Sequence, residues 1–263
     1  MNGKVINKVK YPSPNPHINL WIVTYWSNGL KVKGLLAEPK KEGTYDGLLY
    51  LRGGIKNVGM VRAGRIVQFA SEGFVVMAPF YRGNQGGEGN EDFAGEDRYD
   101  AISAIEILKN HSSVRQGRIH AFGFSRGGVM ALLAGIVEEK LCSVVTWGGV
   151  TDMSLTYVER EDLRRMMKRV IGGTPSKFPK RYKWRTPLYE LERIHAPVLI
   201  IHGVNDKNVS VEHAYRLEKR LKELGKQVEC WYFKEFTHYF PPNINRDTLQ
   251  KLCFWMKKQS FQV

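Results

Sequence analysis

The chain of 263 residues is 43% hydrophobic, 25% charged and 11% aromatic, which excludes a disordered segment and allows a sizeable core in one α/β domain. Its formal net charge of +14 would draw anions of any kind to the surface and by itself names no partner. No stretch of about 18 apolar residues occurs, and residues 1–8 hold no apolar leader, so a soluble, cytoplasmic protein that spans no membrane is expected. Cys142, Cys230 and Cys253 are odd in number and widely spaced among apolar neighbours, which argues for three buried thiols and against a disulfide framework or a zinc site.

In chain order, Ile18–Trp26 and Leu30–Glu38 are β-rich runs around Ser27-Asn28-Gly29, the signature of a hairpin. Strand-like runs then alternate with helical periodicity. Strands are predicted at Gly47–Leu51, Phe74–Ala78, Arg118–Phe122, Ser143–Trp147, Val198–Ile201 and Val228–Phe233. Helices are predicted near Val61–Glu72, Arg98–Lys109, Ser125–Val137, Val211–Leu224 and Asn243–Lys257. This rhythm implies parallel βαβ crossovers in a mostly parallel sheet of eight strands, with helices on both faces. Neither a repeat nor a low-complexity linker interrupts it, so residues 1–263 form a single domain in this reading. The one break is a cap-like insertion at about 151–193, rich in Lys and Arg and containing a helical stretch, Glu159–Val170.

Gly123-Phe124-Ser125-Arg126-Gly127 lies between a predicted strand and a predicted helix, the setting of a nucleophile elbow. Small residues on either side let strand and helix approach while the serine holds a strained backbone. A serine hydroxyl needs an imidazole to take its proton and a carboxylate to orient that imidazole, in the chain order Ser, acid, His. His238, just past the last predicted strand, is the candidate base, with His202 the nearest competitor. Asp206, in the turn after Val198–Ile201, is preferred as the acid over Asp152, which follows Ser143–Trp147. The oxyanion of the tetrahedral intermediate would be met by the backbone N–H of Arg126 and by the Gly53-Gly54 turn after Gly47–Leu51.

With these parts in order, about Gly47 to Lys257 resembles the catalytic domain of the prolyl oligopeptidase (S9) family, within the α/β-hydrolase fold. The resemblance rests on Arg52-Gly53-Gly54, Tyr81-Arg82-Gly83-Asn84, Gly123-Phe124-Ser125-Arg126-Gly127-Gly128, Thr186-Pro187-Leu188 and His202-Gly203-Val204-Asn205-Asp206, completed by Phe236-Thr237-His238. It implies that Ser125, Asp206 and His238 take the family's triad places and that Gly53, Gly54 and Arg126 surround its oxyanion site. Arg52 departs from the histidine or tyrosine many relatives carry there, and the family's N-terminal propeller has no counterpart, so peptidase specificity does not follow. The expected activity is hydrolysis of a small ester or short peptide through an acyl-enzyme, without cofactor or metal. A dienelactone hydrolase-like carboxylesterase is one alternative, and a non-catalytic polyanion-binding protein is another. Nucleic acid and membrane are not expected partners. The glycine-rich run from Arg82 to Gly89 is crowded by Glu88, Glu91, Asp92, Glu96 and Asp97, which would repel a phosphate, so it reads as a structured turn.

Overall fold

A computed structural model describes residues 1–260. Nine strands form one sheet: β1 (Val5–Tyr11), β2 (Ile18–Ser27), β3 (Leu30–Pro39), β4 (Tyr45–Leu51), β5 (Phe74–Pro79), β6 (Val114–Phe124), β7 (Ser143–Trp147), β8 (Val198–Gly203) and β9 (Val228–Phe233). Their order is β1-β2-β3-β5-β4-β6-β7-β8-β9. The sheet is antiparallel from β1 through β3 to β5 and parallel from β5 across to β9. It holds one strand more than the eight expected. The addition is β1, whose seven residues are all exposed; a strand with no buried face shows no apolar alternation to read, and it is held by its ladder to β2.

The hairpin between β2 and β3 turns on Asn28 and Gly29, both at positive φ (46° and 82°), as a two-residue loop matched to strand twist requires. The parallel strands are apolar on both faces. Leu49, Leu51, Val75, Met77, Ile119 and Ala121 point into one layer, while Leu48, Tyr50, Phe74, Val76 and Phe122 point into the other. Against the first layer pack α2 (Arg98–Lys109), α3 (Gly127–Val137) and α7 (Glu212–Glu223); against the second pack α1 (Ala63–Ser71) and α8 (Pro242–Gln259). No helix among the described residues is long and apolar enough to cross a membrane.

The connection from β4 runs to β5 on one side, and the chain then returns past β4 to β6 on the other. Strand order therefore reverses at β4, and the C-terminal ends of β4 and β6 flank the crevice where open α/β sheets bind ligands. Between β7 and β8 lie α4 (Met153–Glu159), α5 (Arg164–Ile171) and α6 (Pro179–Trp184), with three short 3-10 turns. The helical stretch expected at Glu159–Val170 is a 3-10 turn at Glu161–Leu163 running directly into α5, and Arg160 (φ −107°, ψ 80°) parts it from α4. Met153, Met167, Ile171, Tyr182 and Leu191 bury this insertion against the layer shared by α2, α3 and α7. The thiols are free; Cys142 and Cys253 are buried, but Cys230, on edge strand β9, is only half-buried, contrary to expectation.

One polar knot ties the antiparallel end to the helices. The Glu38 carboxylate accepts from Trp21 Nε1 at 2.6 Å and Lys8 Nζ at 3.3 Å, and lies 2.9 Å from His111 Nε2 beyond α2. The His111 hydrogen bond above all, aided by Lys8 and Trp21 and opposed by partial burial, holds this carboxyl down from 4.5 to about 2. The fold thus favours its ionised form, so its contribution is present above pH 4.5 and lost as pH falls through about 2. Urea midpoints measured across this window should fall with acid in the wild type, and Glu38→Gln should be less stable near neutrality with a flatter acid limb.

Candidate active site

Ser125 follows the last residue of β6 and precedes α3 by two positions. Its φ is +56°, a left-handed conformation that costs a non-glycine residue about 1–3 kcal/mol and persists only when its surroundings over-determine it. Those surroundings are hydrogen bonds with the end of β7 and the start of α3: Ser125 N–H donates to the Trp147 carbonyl at 3.0 Å, and the Ser125 carbonyl accepts from Val150 N–H at 3.0 Å and Gly128 N–H at 2.9 Å. A β-carbon on Gly123 would strike the Gly127 carbonyl, and one on Gly127 would strike the Leu51 carbonyl. Strand, turn and helix close up only because both positions lack side chains.

The loop after β4 lies directly against the serine. A β-carbon on Gly53 would sit 2.6 Å from Ser125 Cβ and 3.1 Å from Ser125 Oγ. Gly54, at φ +63°, turns against the Val58 carbonyl of the same loop. The Arg126 N–H stands at the start of α3, where a helix supplies no acceptor of its own and its dipole favours negative charge.

Asp206 and His238 are brought together from the loops after β8 and β9. Asp206 Oδ2 lies 2.6 Å from His238 Nδ1, and both residues are buried. The other carboxylate oxygen accepts from Asn208 N–H at 2.8 Å and Val209 N–H at 3.0 Å, which locks the turn. The imidazole rests on Phe124, ring centroids 4.8 Å apart, beside the serine. Among the described residues no hydrogen bond joins Ser125 Oγ to His238; such bonds are often long in unliganded enzymes and tighten with substrate. His202 has its Nε2 3.6 Å from Asp206 Oδ2 and 2.9 Å from the Val209 carbonyl, and burial lowers its pKa. Asp152 does other work: it caps α4 by accepting from Ser154 and Leu155 N–H and pairs with Arg216 at 3.0 Å.

The two arginines beside the glycine motifs turn inward. Arg52 donates to the Gly53 carbonyl at 3.0 Å, the Val58 carbonyl at 3.3 Å and both Glu91 oxygens at 3.1 Å. It therefore braces the loop and offers no side-chain donor to the site. Arg126, 1% exposed, is held by Glu91 and, at 3.2 Å, by Asp97. Burial pushes Glu91 up, but Arg126 and Arg52 more than offset it and leave the carboxyl below its usual range. For Asp97, burial outweighs Arg126 and pushes the carboxyl up to about 7. The glycine-rich run is a folded turn, with Gly83 N–H donating to the Glu88 carbonyl at 2.8 Å and Arg82 paired with Asp100 at 2.9 Å.

Sequence reasoning passed over Glu91, Asp97 and Gly148. The acids were legible only as a repellent of phosphate, because their role as counter-charges follows from the burial of Arg52 and Arg126, which only the fold shows. Gly148 (φ +53°) follows β7, and a β-carbon there would stand 3.1 Å from His238 Nδ1 and 3.3 Å from Asp206 Oδ2. No group of three or more His, Cys, Asp or Glu side chains able to hold a metal occurs among the described residues.

A family model described as prolyl oligopeptidase family matches residues 61–262. An uncharacterized peptidase, YtmA, of Bacillus subtilis (strain 168) is 62% identical over 256 residues, covering 97% of this chain and all of that protein. Two solved structures share the fold. A Pyrococcus horikoshii acylaminoacyl peptidase has a TM-score of 0.76 at 22% identity, covering 97% of this chain and 41% of its own. Acetyl xylan esterase 1 from a Thermoanaerobacterium species has a TM-score of 0.76 at 15% identity, covering 96% of this chain and 88% of its own. This chain thus spans about two fifths of the peptidase and most of the esterase.

Gly148→Ala should both strain the backbone and crowd the imidazole and carboxylate. A loss of about 1–2 kcal/mol in urea unfolding is expected, with at least about a tenfold fall in ester kcat/KM from displacement of the pair.

Proposed function

The chain belongs to the prolyl oligopeptidase family and is a serine hydrolase, and on that premise we propose that Ser125 attacks the acyl carbon of a small ester or short peptide, with His238 as general base and Asp206 as its orienter. The observation that carries this reading is the 2.6 Å contact of Asp206 Oδ2 with His238 Nδ1, in a ring packed on the residue preceding a strained Ser125. A proton on Nδ1 donated to Asp206 leaves the Nε2 lone pair for the serine proton. As Oγ bonds to the acyl carbon, Nε2 takes that proton, and the carbonyl π electrons move to oxygen.

The resulting oxyanion is met by the Arg126 N–H and by the backbone of the Gly53-Gly54 turn, each such donor being worth about 3 kcal/mol in the transition state. Collapse expels the alcohol or amine, which takes the proton from Nε2. Water then repeats the sequence on the acyl-enzyme, returning Ser125. Arg52 keeps the Gly53 loop in place through the carbonyl it bonds.

Both leaving groups stay within this reading: the fold is shared with an acetyl xylan esterase and an acylaminoacyl peptidase, and the relative covered over its whole length is named a peptidase. Beside the site Tyr239 is 71% exposed, its ring 5.0 Å from His238, and Val58 on the glycine loop is 68% exposed. These surfaces suit an apolar acyl or leaving group.

A fluorophosphonate probe should label the wild type and leave Ser125→Ala unlabelled; labelling that persists in the variant removes Ser125 from its role. Asp206→Asn should keep its fold and lose about 10³–10⁴ in kcat on a p-nitrophenyl ester, because the amide no longer selects the required tautomer.

A further inference from the structure

The insertion between β7 and β8 is joined to the nucleophile elbow by a run of charged groups, all buried but the half-buried Asp92. Arg185, at the end of α6 and 5% exposed, donates to Asp92 Oδ2 at 3.1 Å. Asp92 and Asp97 clasp one another: Asp97 N–H donates to Asp92 Oδ1 at 3.1 Å, and Asp92 N–H donates to Asp97 Oδ2 at 3.2 Å. The same Asp97 oxygen takes Arg126 at 3.2 Å, and Glu91 takes the other end of that guanidinium. Asp97 also accepts from Phe93 N–H at 3.1 Å, holding Phe93 and Ala94 at φ +63° and +68°. A second tie runs alongside, with Arg98 donating to the Trp184 carbonyl at 2.7 Å and stacking 4.0 Å from its ring.

A buried guanidinium is an expensive way to fill space. An apolar side chain of similar volume often leaves a protein equally stable or more so, whereas a charge network of this kind fixes geometry. Arg126 is caught at two points on the far side of its own Cα, between the rings of Tyr81 and Phe93. Its backbone N–H is the proposed oxyanion donor, a group whose worth depends on placement within about half an ångström.

We propose that Arg126 is a positioning residue whose guanidinium, gripped by Glu91 and Asp97, sets the N–H that follows Ser125, and that Arg185 of the insertion sets this grip through Asp92. Seating of the insertion and competence of the oxyanion site are thereby one event. The inference rests on Ser125 being the nucleophile.

The test is a kinetic double-mutant cycle on the full chain with a p-nitrophenyl acyl ester, with melting temperatures recorded for each variant. Arg126→Gln should lower kcat about 10- to 100-fold with KM within about twofold, because the lost interaction acts on the transition state. Arg126→Lys, which can reach one carboxylate but not bridge two, should recover part of the loss. Arg185→Gln should lower kcat about three- to tenfold alone and have no further effect in the Arg126→Gln background. Should Arg126→Gln fail to fold, Arg126→Lys takes its place in the cycle. An unchanged kcat in folded Arg126 or Arg185 variants, effects confined to KM, or effects that multiply would each overturn the proposal. Fluorophosphonate labelling separates the two readings: persistence in Ser125→Ala defeats the nucleophile assignment, whereas its loss together with multiplying effects defeats only the coupling.

Discussion

Everything at the site depends on the close approach of three strand ends to one strained residue. Ser125 leaves β6 in a left-handed conformation that no isolated serine would keep, and two hydrogen bonds with the β7 exit, one donated to the Trp147 carbonyl and one accepted from Val150 N–H, hold it there. The Gly53 loop from β4 presses from the other side at a distance that tolerates no side chain. Because β4, β6 and β7 are adjacent in a parallel sheet, their C-terminal ends converge by construction, and the crevice at the reversal of strand order becomes the place where a hydroxyl, a helix start and a glycine turn face one point.

Rigidity here is secured with charge as well as with packing. Arg52 and Arg126 are both nearly inaccessible, and both end on Glu91. Alone, either guanidinium would carry a desolvation penalty of several kcal/mol. Together with Asp97 and the carbonyls of Gly53, Val58 and Phe80, they form a bonded scaffold under the glycine turn and the elbow. The acidic run from Glu88 to Asp97 is thus inward-facing at its key members, a counter-charge to the elbow instead of a solvated surface. The high net charge of the chain says nothing of this arrangement, since the charges that shape the site are the ones removed from water.

The parallel strands, the hairpin and the helices were legible because each obeys one local rule: two-sided apolar runs, an Asn-Gly turn, or 3.6-residue periodicity. β1 was not, because it buries no face, and the short α4 and α6 were not, because seven and six residues span too few turns to show a helical period. Asp152 and Asp206 each lie in a turn after a strand, with Asp206 preferred on chain position, and in the fold their partners differ: Asp152 bonds a helix N-terminus and Arg216, while Asp206 keeps one oxygen for His238.

The linear sequence by itself determined the family, the α/β rhythm and the short list of residues with chemistry to offer, because glycine spacing around a serine and the order of acid and base reflect steric and chemical needs local to the chain. Tertiary structure alone decided that Asp206 faces His238, that Gly148 leaves room for that pair, and that Arg126 is tied through Asp97 and Asp92 to Arg185. Such contacts join residues tens of positions apart, and their strength comes from a low-dielectric interior that exists only once the sheet and its helices have closed.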